Sequence, residues 1–257
     1  MPLLELQKLT KCFGGLTAVN ELDLSIDKGE IVGLIGPNGA GKTTVFNTIS
    51  GVFRPTGGRV LFGGRDITGL KPHSVVKRGL IRTFQLTTLF GDMTVLDNIL
   101  LGCHLTAGIR FWAALCNTGA TKMRAQQLLE KAAELADFMG LGERQHELAK
   151  NLPHGHQRAL EVGIALAASP ELLLLDEPVT GMNAEETGQM MHQISSIRDR
   201  GIAIVLVEHD MRVVMDICNR IYVLNFGRKI AEGSPQEICQ NNKVIEAYLG
   251  TRYAARR

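Results

Sequence analysis

The chain has 257 residues, enough for one large α/β domain or a core with a small subdomain. Its net charge of +2 gives no electrostatic argument for nucleic-acid binding, and its apolar runs fall far short of the ~20 residues a bilayer span needs. Residues 1–5 lack the features of a signal peptide, and the five scattered cysteines form no C-x-x-C pair. The chain is therefore expected to stay in the cytosol with reduced thiols.

Strand patterns at residues 3–6 and 18–26 come first, followed by an apolar run at 31–35. That run leads into Gly36-Pro37-Asn38-Gly39-Ala40-Gly41-Lys42-Thr43, the spacing of a phosphate loop. Phosphates need many N–H donors close together, and the glycines remove the β-carbons that would block that approach. Lys42 reaches the outer phosphates and the Thr43 hydroxyl suits Mg²⁺. A helix predicted over 44–50, opening at Thr44, turns its positive dipole end toward the phosphates.

Further strands are predicted at 59–62 and 81–84. Gln85 ends the second of them, where an uncharged amide can touch Mg²⁺ or the attacking water. Residues 91–168 show helical periodicity, clearest at 122–139 and 157–167, and no convincing strand. They read as a helical insertion between two α/β segments. Residues 106–121, with Phe111 and Trp112, break that pattern and read as an extra loop or short helix.

The run 172–175 is a buried strand that delivers Asp176 and Glu177 at its C-terminal end, where ligands bind in an open α/β sheet. Asp176 is expected to hold Mg²⁺ opposite Thr43, and Glu177 to act as general base on the attacking water. The apolar run 202–207 repeats the design and ends at His209, a candidate γ-phosphate sensor. Helices are predicted at 185–198 and 211–218, strands at 220–225 and 228–232, and short helices at 235–240 and 243–249. The basic residues 252–257 read as a solvated tail. His154 and His156 are too isolated from other ligand types for a strong metal site.

With these residues placed, the chain resembles the ATP-binding subunits of ABC transporters over nearly its whole length. The resemblance implies a P-loop NTPase (RecA-like) core with a mainly parallel sheet, an antiparallel β subdomain and an inserted helical subdomain. Residues 1–90 and 169–257 would form the core, and 91–168 the helical part that contacts membrane subunits. ATP and Mg²⁺ are the implied cofactors, with Thr43, Gln85 and Asp176 around the metal. Lys42, Gln85, Glu177 and His209 are the implied catalytic set. Phe13 falls where the family stacks an aromatic on adenine. Leu152-Pro153-His154-Gly155-His156-Gln157 falls on the signature, normally Leu-Ser-Gly-Gly-Gln, which serves the partner cassette's nucleotide. Pro153 replaces the serine and supplies neither hydroxyl nor N–H. Asn183 stands where the family usually has Asp. A complete phosphate-loop set beside an altered signature suggests a heterodimer with unequal sites.

Residues 13–19, 82–85, 106–121 and 245–250 resemble the larger ATPase of branched-chain amino acid importers. Urea or short-chain amide importers and lipopolysaccharide exporters are the alternatives, as is a nucleotide-binding regulator with little turnover, against which Glu177 argues. A GTPase would need Asn-Lys-x-Asp, and Asn242-Lys243-Val244-Ile245 fails at the last position. The implied partners are a second ATPase, two permeases and an external solute-binding protein, with no nucleic acid. The implied location is cytoplasmic, peripheral on the inner face of the membrane.

Overall fold

A computed structural model describes residues 1–83, 89–107 and 119–249. Gln85, Phe111, Trp112 and the basic tail lie outside the described residues. The chain divides into two compact units. The first comprises Met1–Leu80, Glu171–Glu177 and the chain from Ser195 onward; the second comprises Ile81–Pro170 and Pro178–Ile194.

In the first unit, Gly14 and Gly15 turn β1 (Leu4–Phe13) back on β2 (Leu16–Ile26), pairing Phe13 with Leu16. β4 (Gly57–Phe62) and β5 (Arg65–Asp66) complete an antiparallel sheet in the order β2-β1-β4-β5. The alternation of buried and exposed side chains along β1 and β2 marks a sheet with one wet face. β1 runs seven residues past the predicted strand, through a mainly polar stretch in which Leu9 is the residue buried in the core.

The second sheet is mainly parallel. Its order is β10-β9-β3-β8-β7-β6, from β3 (Ile31–Ile35), β6 (Leu80–Arg82), β7 (Leu172–Asp176), β8 (Ala203–Val207), β9 (Arg220–Asn225) and β10 (Arg228–Gly233). β3, β7 and β8 are buried at every position, which is why they read as unbroken apolar runs. β3 pairs in parallel with both β8 and β9, and β8 with β7. Four strands thus end at one edge of the sheet, the edge where α/β folds bind ligands. α1 (Lys42–Ile49) follows β3, and its Val45 and Phe46 join Leu6, Leu22, Val32, Leu34, Leu174 and Val205 in a single core.

Polar groups tie the two sheets together. The buried Tyr222 on β9 donates its hydroxyl to the Ser25 carbonyl at 3.0 Å and accepts from the Ser25 N–H at 3.1 Å. Arg220 adds bonds to the Ser25 carbonyl at 2.8 Å and to Glu30 at 2.7 Å.

The second unit is mainly helical. α3 (Val95–Ala107), α4 (Gly119–Phe138) and α5 (His154–Ala167) pack on one another. Between residues 91 and 168 the described β structure is one isolated bridge, Thr94 to Leu148. Asn98, fully buried on α3, stays satisfied by bonding Phe90 through both its amide and its carbonyl and by donating to the Thr94 carbonyl. The remaining helices are α2 (Pro72–Val76), α6 (Ala184–Asp199), α7 (Met211–Ile217), α8 (Pro235–Cys239) and α9 (Asn242–Leu249). No helix among the described residues is long and apolar enough to cross a membrane.

Candidate active site

The phosphate loop leaves β3 at Gly36 and enters α1 at Lys42, two residues before the predicted helix start. Gly36 has φ 151, and a β-carbon there would run into the Leu224 carbonyl. Gly41 caps α1 at φ 105, where a β-carbon would sit 2.6 Å from the Ala18 carbonyl. Both positions therefore require glycine. Asn38, Gly39 and Thr43 are exposed, while Ala40 and Lys42 are buried. No acidic residue lies in the first turn of α1, so its positive dipole end is left for an anion.

Lys42 folds back into its own loop. Its Nζ donates to the Gly36 carbonyl at 2.6 Å and to the Pro37 carbonyl at 3.1 Å. Burial pushes its pKa down, and the nearby charges of Glu177 and Asp176 oppose that shift. The ammonium is thus held by two carbonyls of its own loop, near the charges of Asp176 and Glu177.

Asp176 is buried and Glu177 half-buried. Glu177 adopts φ 51, an uncommon backbone for a residue with a β-carbon. Its N–H is fixed by the Val207 carbonyl at 2.8 Å, at the end of β8. Two residues beyond Val207, His209 places Nε2 2.9 Å from Glu177 Oε1. The His209 N–H is held by the buried Glu208 carboxylate at 3.0 Å, and Asp210 caps α7 through the Arg212 N–H at 2.9 Å. The structure therefore brings Lys42, Asp176, Glu177 and His209 to one sheet edge. Thr44 sits in the first turn of α1, its carbonyl accepting from the Thr48 hydroxyl at 2.7 Å.

Phe13 closes the β1–β2 hairpin with its ring 41% exposed. It packs edge-on against Phe53 at 5.2 Å, with Lys11 Nζ 4.8 Å from its centroid. One ring face is thus engaged while much of the side chain stays open to a ligand.

In the second unit, Leu152 is buried and Pro153 is the N-cap of α5, without a side-chain capping bond. The Gln157 N–H donates to the Pro153 carbonyl at 3.0 Å, and its side chain to the Leu152 carbonyl at 3.0 Å. Gly155 is buried against Glu186, and the His154 ring lies against Gly181. The Nδ1 of His156 is buried without a partner. Asn183 is a helix cap: its Oδ1 accepts from the Glu185 and Glu186 N–H groups at 2.9 and 3.0 Å, and Glu186 returns a bond to the Asn183 N–H at 3.0 Å. Aspartate and asparagine cap about equally well, so the structural job at this position survives the loss of charge.

One contact escaped sequence reasoning. Tyr248 on α9 lies near the Gly36 backbone: burial pushes its phenol pKa up, and the Gly36 backbone pulls it partly back. The apolar periodicity of α9 predicts a helix, but no local pattern names the loop it meets.

The ABC transporter family profile matches residues 19–180, and the profile described as branched-chain amino acid ATP-binding cassette transporter matches residues 228–254. The chain is 43% identical over 250 residues, 97% of its length and 98% of the relative's, to the high-affinity branched-chain amino acid transport ATP-binding protein LivG of Salmonella typhimurium. It is 40% identical to BraF of Pseudomonas aeruginosa, with the same coverage. It is 31% identical to the lipopolysaccharide export system ATP-binding protein LptB of Haemophilus influenzae, over 98% of this chain and 99% of that one. Among solved structures, the ADP conformation of an ABC transporter cassette superposes with a TM-score of 0.84 at 30% identity, covering 97% of this chain and 99% of that one. A nucleotide-free cassette gives 0.84 at 29% identity, covering 96% and 99%. The chain belongs to the ABC transporter family, as an ATP-binding and ATP-hydrolysing subunit.

Proposed function

We propose that this chain powers a branched-chain amino acid importer, bound on the inner face of the membrane to two permease subunits and a second ATPase. An external solute-binding protein would deliver the solute. The observation that carries this reading is the match of residues 228–254 to a profile described as branched-chain amino acid ATP-binding cassette transporter, beside near full-length likeness to LivG.

In the proposed cycle, Lys42 exchanges the Gly36 and Pro37 carbonyls for the outer phosphate oxygens of ATP. Glu177 takes the proton of the attacking water while the bond to the leaving ADP oxygen breaks. His209 holds Glu177 and the water in line. The donors present suit Mg²⁺: a buried carboxylate, Asp176, and an exposed hydroxyl, Thr43, are hard oxygen ligands of the kind that bind it together with substrate phosphates. Thr43, Asp176 and Gln85 would hold the ion, which would supply charge neutralisation to the phosphates. Phe13 stacks on the base.

Leu152, Pro153, His154, Gly155, His156 and Gln157 would face the nucleotide of the second cassette. We infer a heterodimer whose weaker site uses this signature, because Pro153 donates nothing to phosphate. The test is ATPase activity of the reconstituted complex with leucine or urea supplied through the binding protein. Stimulation by leucine and not by urea is expected. Stimulation by urea alone, or by lipopolysaccharide, would reject the solute assignment.

A further inference from the structure

β9 and β10 are joined by Asn225-Phe226-Gly227-Arg228. Phe226 has φ 45 and Gly227 φ 74, two successive positive angles of the type I′ hairpin turn. Asparagine, aspartate or glycine suits the first of these positions. Phenylalanine is strained there, and it stands 85% exposed. Neither turn geometry nor core packing accounts for an aromatic at this position.

The location does account for it. β9 runs parallel to β3, so its tip lies at the edge that carries the phosphate loop, Glu177 and His209. The tip is built into the wall of that loop. The Gly227 N–H donates to the Ala40 carbonyl at 3.0 Å, and the Gly227 carbonyl accepts from the Asn20 N–H at 2.8 Å. β-Carbons at Gly41 and at Gly227 would each meet the Ala18 carbonyl at 2.6 Å, and the one at Gly41 would lie 3.5 Å from the Gly227 Cα. The β-hairpin that provides Ala18 also carries Phe13 and Leu16, which are 41% and 67% exposed. The β1–β2 hairpin and the β9–β10 turn thus meet around Gly41 and Gly227, and between them they carry three exposed apolar side chains.

We propose that Phe226 is a base-contacting residue, its ring forming an apolar wall for the nucleobase whose phosphates lie in the loop at Gly36–Thr43. An aromatic ring offers a base dispersion and stacking without reading its identity. The proposal rests on the ATP-site reading above. It assigns the strained turn a use, because docking Gly227 on Ala40 fixes where the preceding side chain stands.

The test compares binding of ATP and of inorganic tripolyphosphate, with Mg²⁺, to the full chain by titration calorimetry. Phe226→Ala and Phe226→Asn are the variants; Asn favours the positive φ and keeps the turn. Both variants are expected to bind ATP about fivefold to tenfold more weakly and tripolyphosphate as tightly as the parent, with an unchanged or higher melting temperature for Phe226→Asn. Unchanged ATP affinity in Phe226→Asn would overturn the proposal. So would an equal loss for both ligands, which would place Phe226 on the loop and not on the base. A parent chain that binds neither ligand would instead reject the site reading itself.

Discussion

Glu177 and His209 are locked together across two neighbouring strand ends, His209 Nε2 standing 2.9 Å from Glu177 Oε1. The strand that precedes each residue is fully buried, so the backbone points from which the two side chains leave are fixed. Glu177 holds this contact from a positive φ, a backbone conformation that costs about 1–3 kcal/mol.

Glu177→Gln is therefore expected to lower phosphate release from the assembled complex by about 10²–10⁴-fold, the usual worth of a general base, while ATP binding persists. His209→Ala should lower kcat by about tenfold or more. If His209 acts on the water through Glu177, the double variant will be no slower than Glu177→Gln alone. Losses that multiply would show that the two residues act separately. Phosphate release measured for the four proteins decides between these outcomes.

Much of this site is legible in the sequence, because buried parallel strands leave unbroken apolar runs and polar residues mark where they end. Asp176, Glu177 and His209 are each placed by the last apolar residue before them. The cap at Asn183 leaves a local trace too, with Glu186 three residues on at capping-box spacing. Contacts between distant segments are not legible. Nothing local links Gly227 to Ala40 or Tyr248 to Gly36, since each depends on how separate elements pack. The backbone strain at Glu177 and Phe226 is equally silent, because identity alone does not report φ.

Pro153→Ser should act on both stability and turnover. Pro153 is the N-cap of α5 and caps nothing with its side chain. Serine at an N-cap typically adds about 0.5–2 kcal/mol, so the melting temperature should rise. If the signature faces a partner's nucleotide as proposed, serine also restores donors toward that phosphate, a charged hydrogen bond being worth about 1.5–3 kcal/mol. Turnover of the assembled complex is expected to rise about tenfold. A higher melting temperature with unchanged turnover would leave the capping account standing and sink the unequal-site account.

Asp210 ties stability to pH. Bonds from the Arg212 side chain and backbone hold its pKa below the usual aspartate value. A carboxylate depressed in the folded state contributes stability above its unfolded pKa, about 3.9, and loses it as pH falls through the folded value. Asp210→Ala should cost about 1 kcal/mol at neutral pH through the lost cap. Asp210→Asn keeps a capping oxygen and should cost less. Denaturant melts from pH 7 to pH 2 should show the Asp210→Asn difference fading once the pH passes below about 4. Because the pair is exposed, that difference should also shrink in high salt.

Two glycines within helices are predicted to respond in opposite directions to the same substitution. Alanine is favoured over glycine in a helix interior by about 1 kcal/mol. At Gly188 on α6 an added β-carbon meets nothing within 4 Å, so Gly188→Ala should stabilise the protein by about that amount. At Gly102 on α3 the same carbon would strike the Ile164 carbonyl and come within 2.8 Å of the Ala167 Cβ. No rotamer change relieves a clash with backbone, and overpacking typically costs about 1–3 kcal/mol. That cost exceeds the propensity gain once α3 is pushed off α5, so Gly102→Ala should lower stability. Equilibrium unfolding of the two variants beside the parent tests the pair. A stabilised Gly102→Ala would show that the α3–α5 contact is looser than the structure has it.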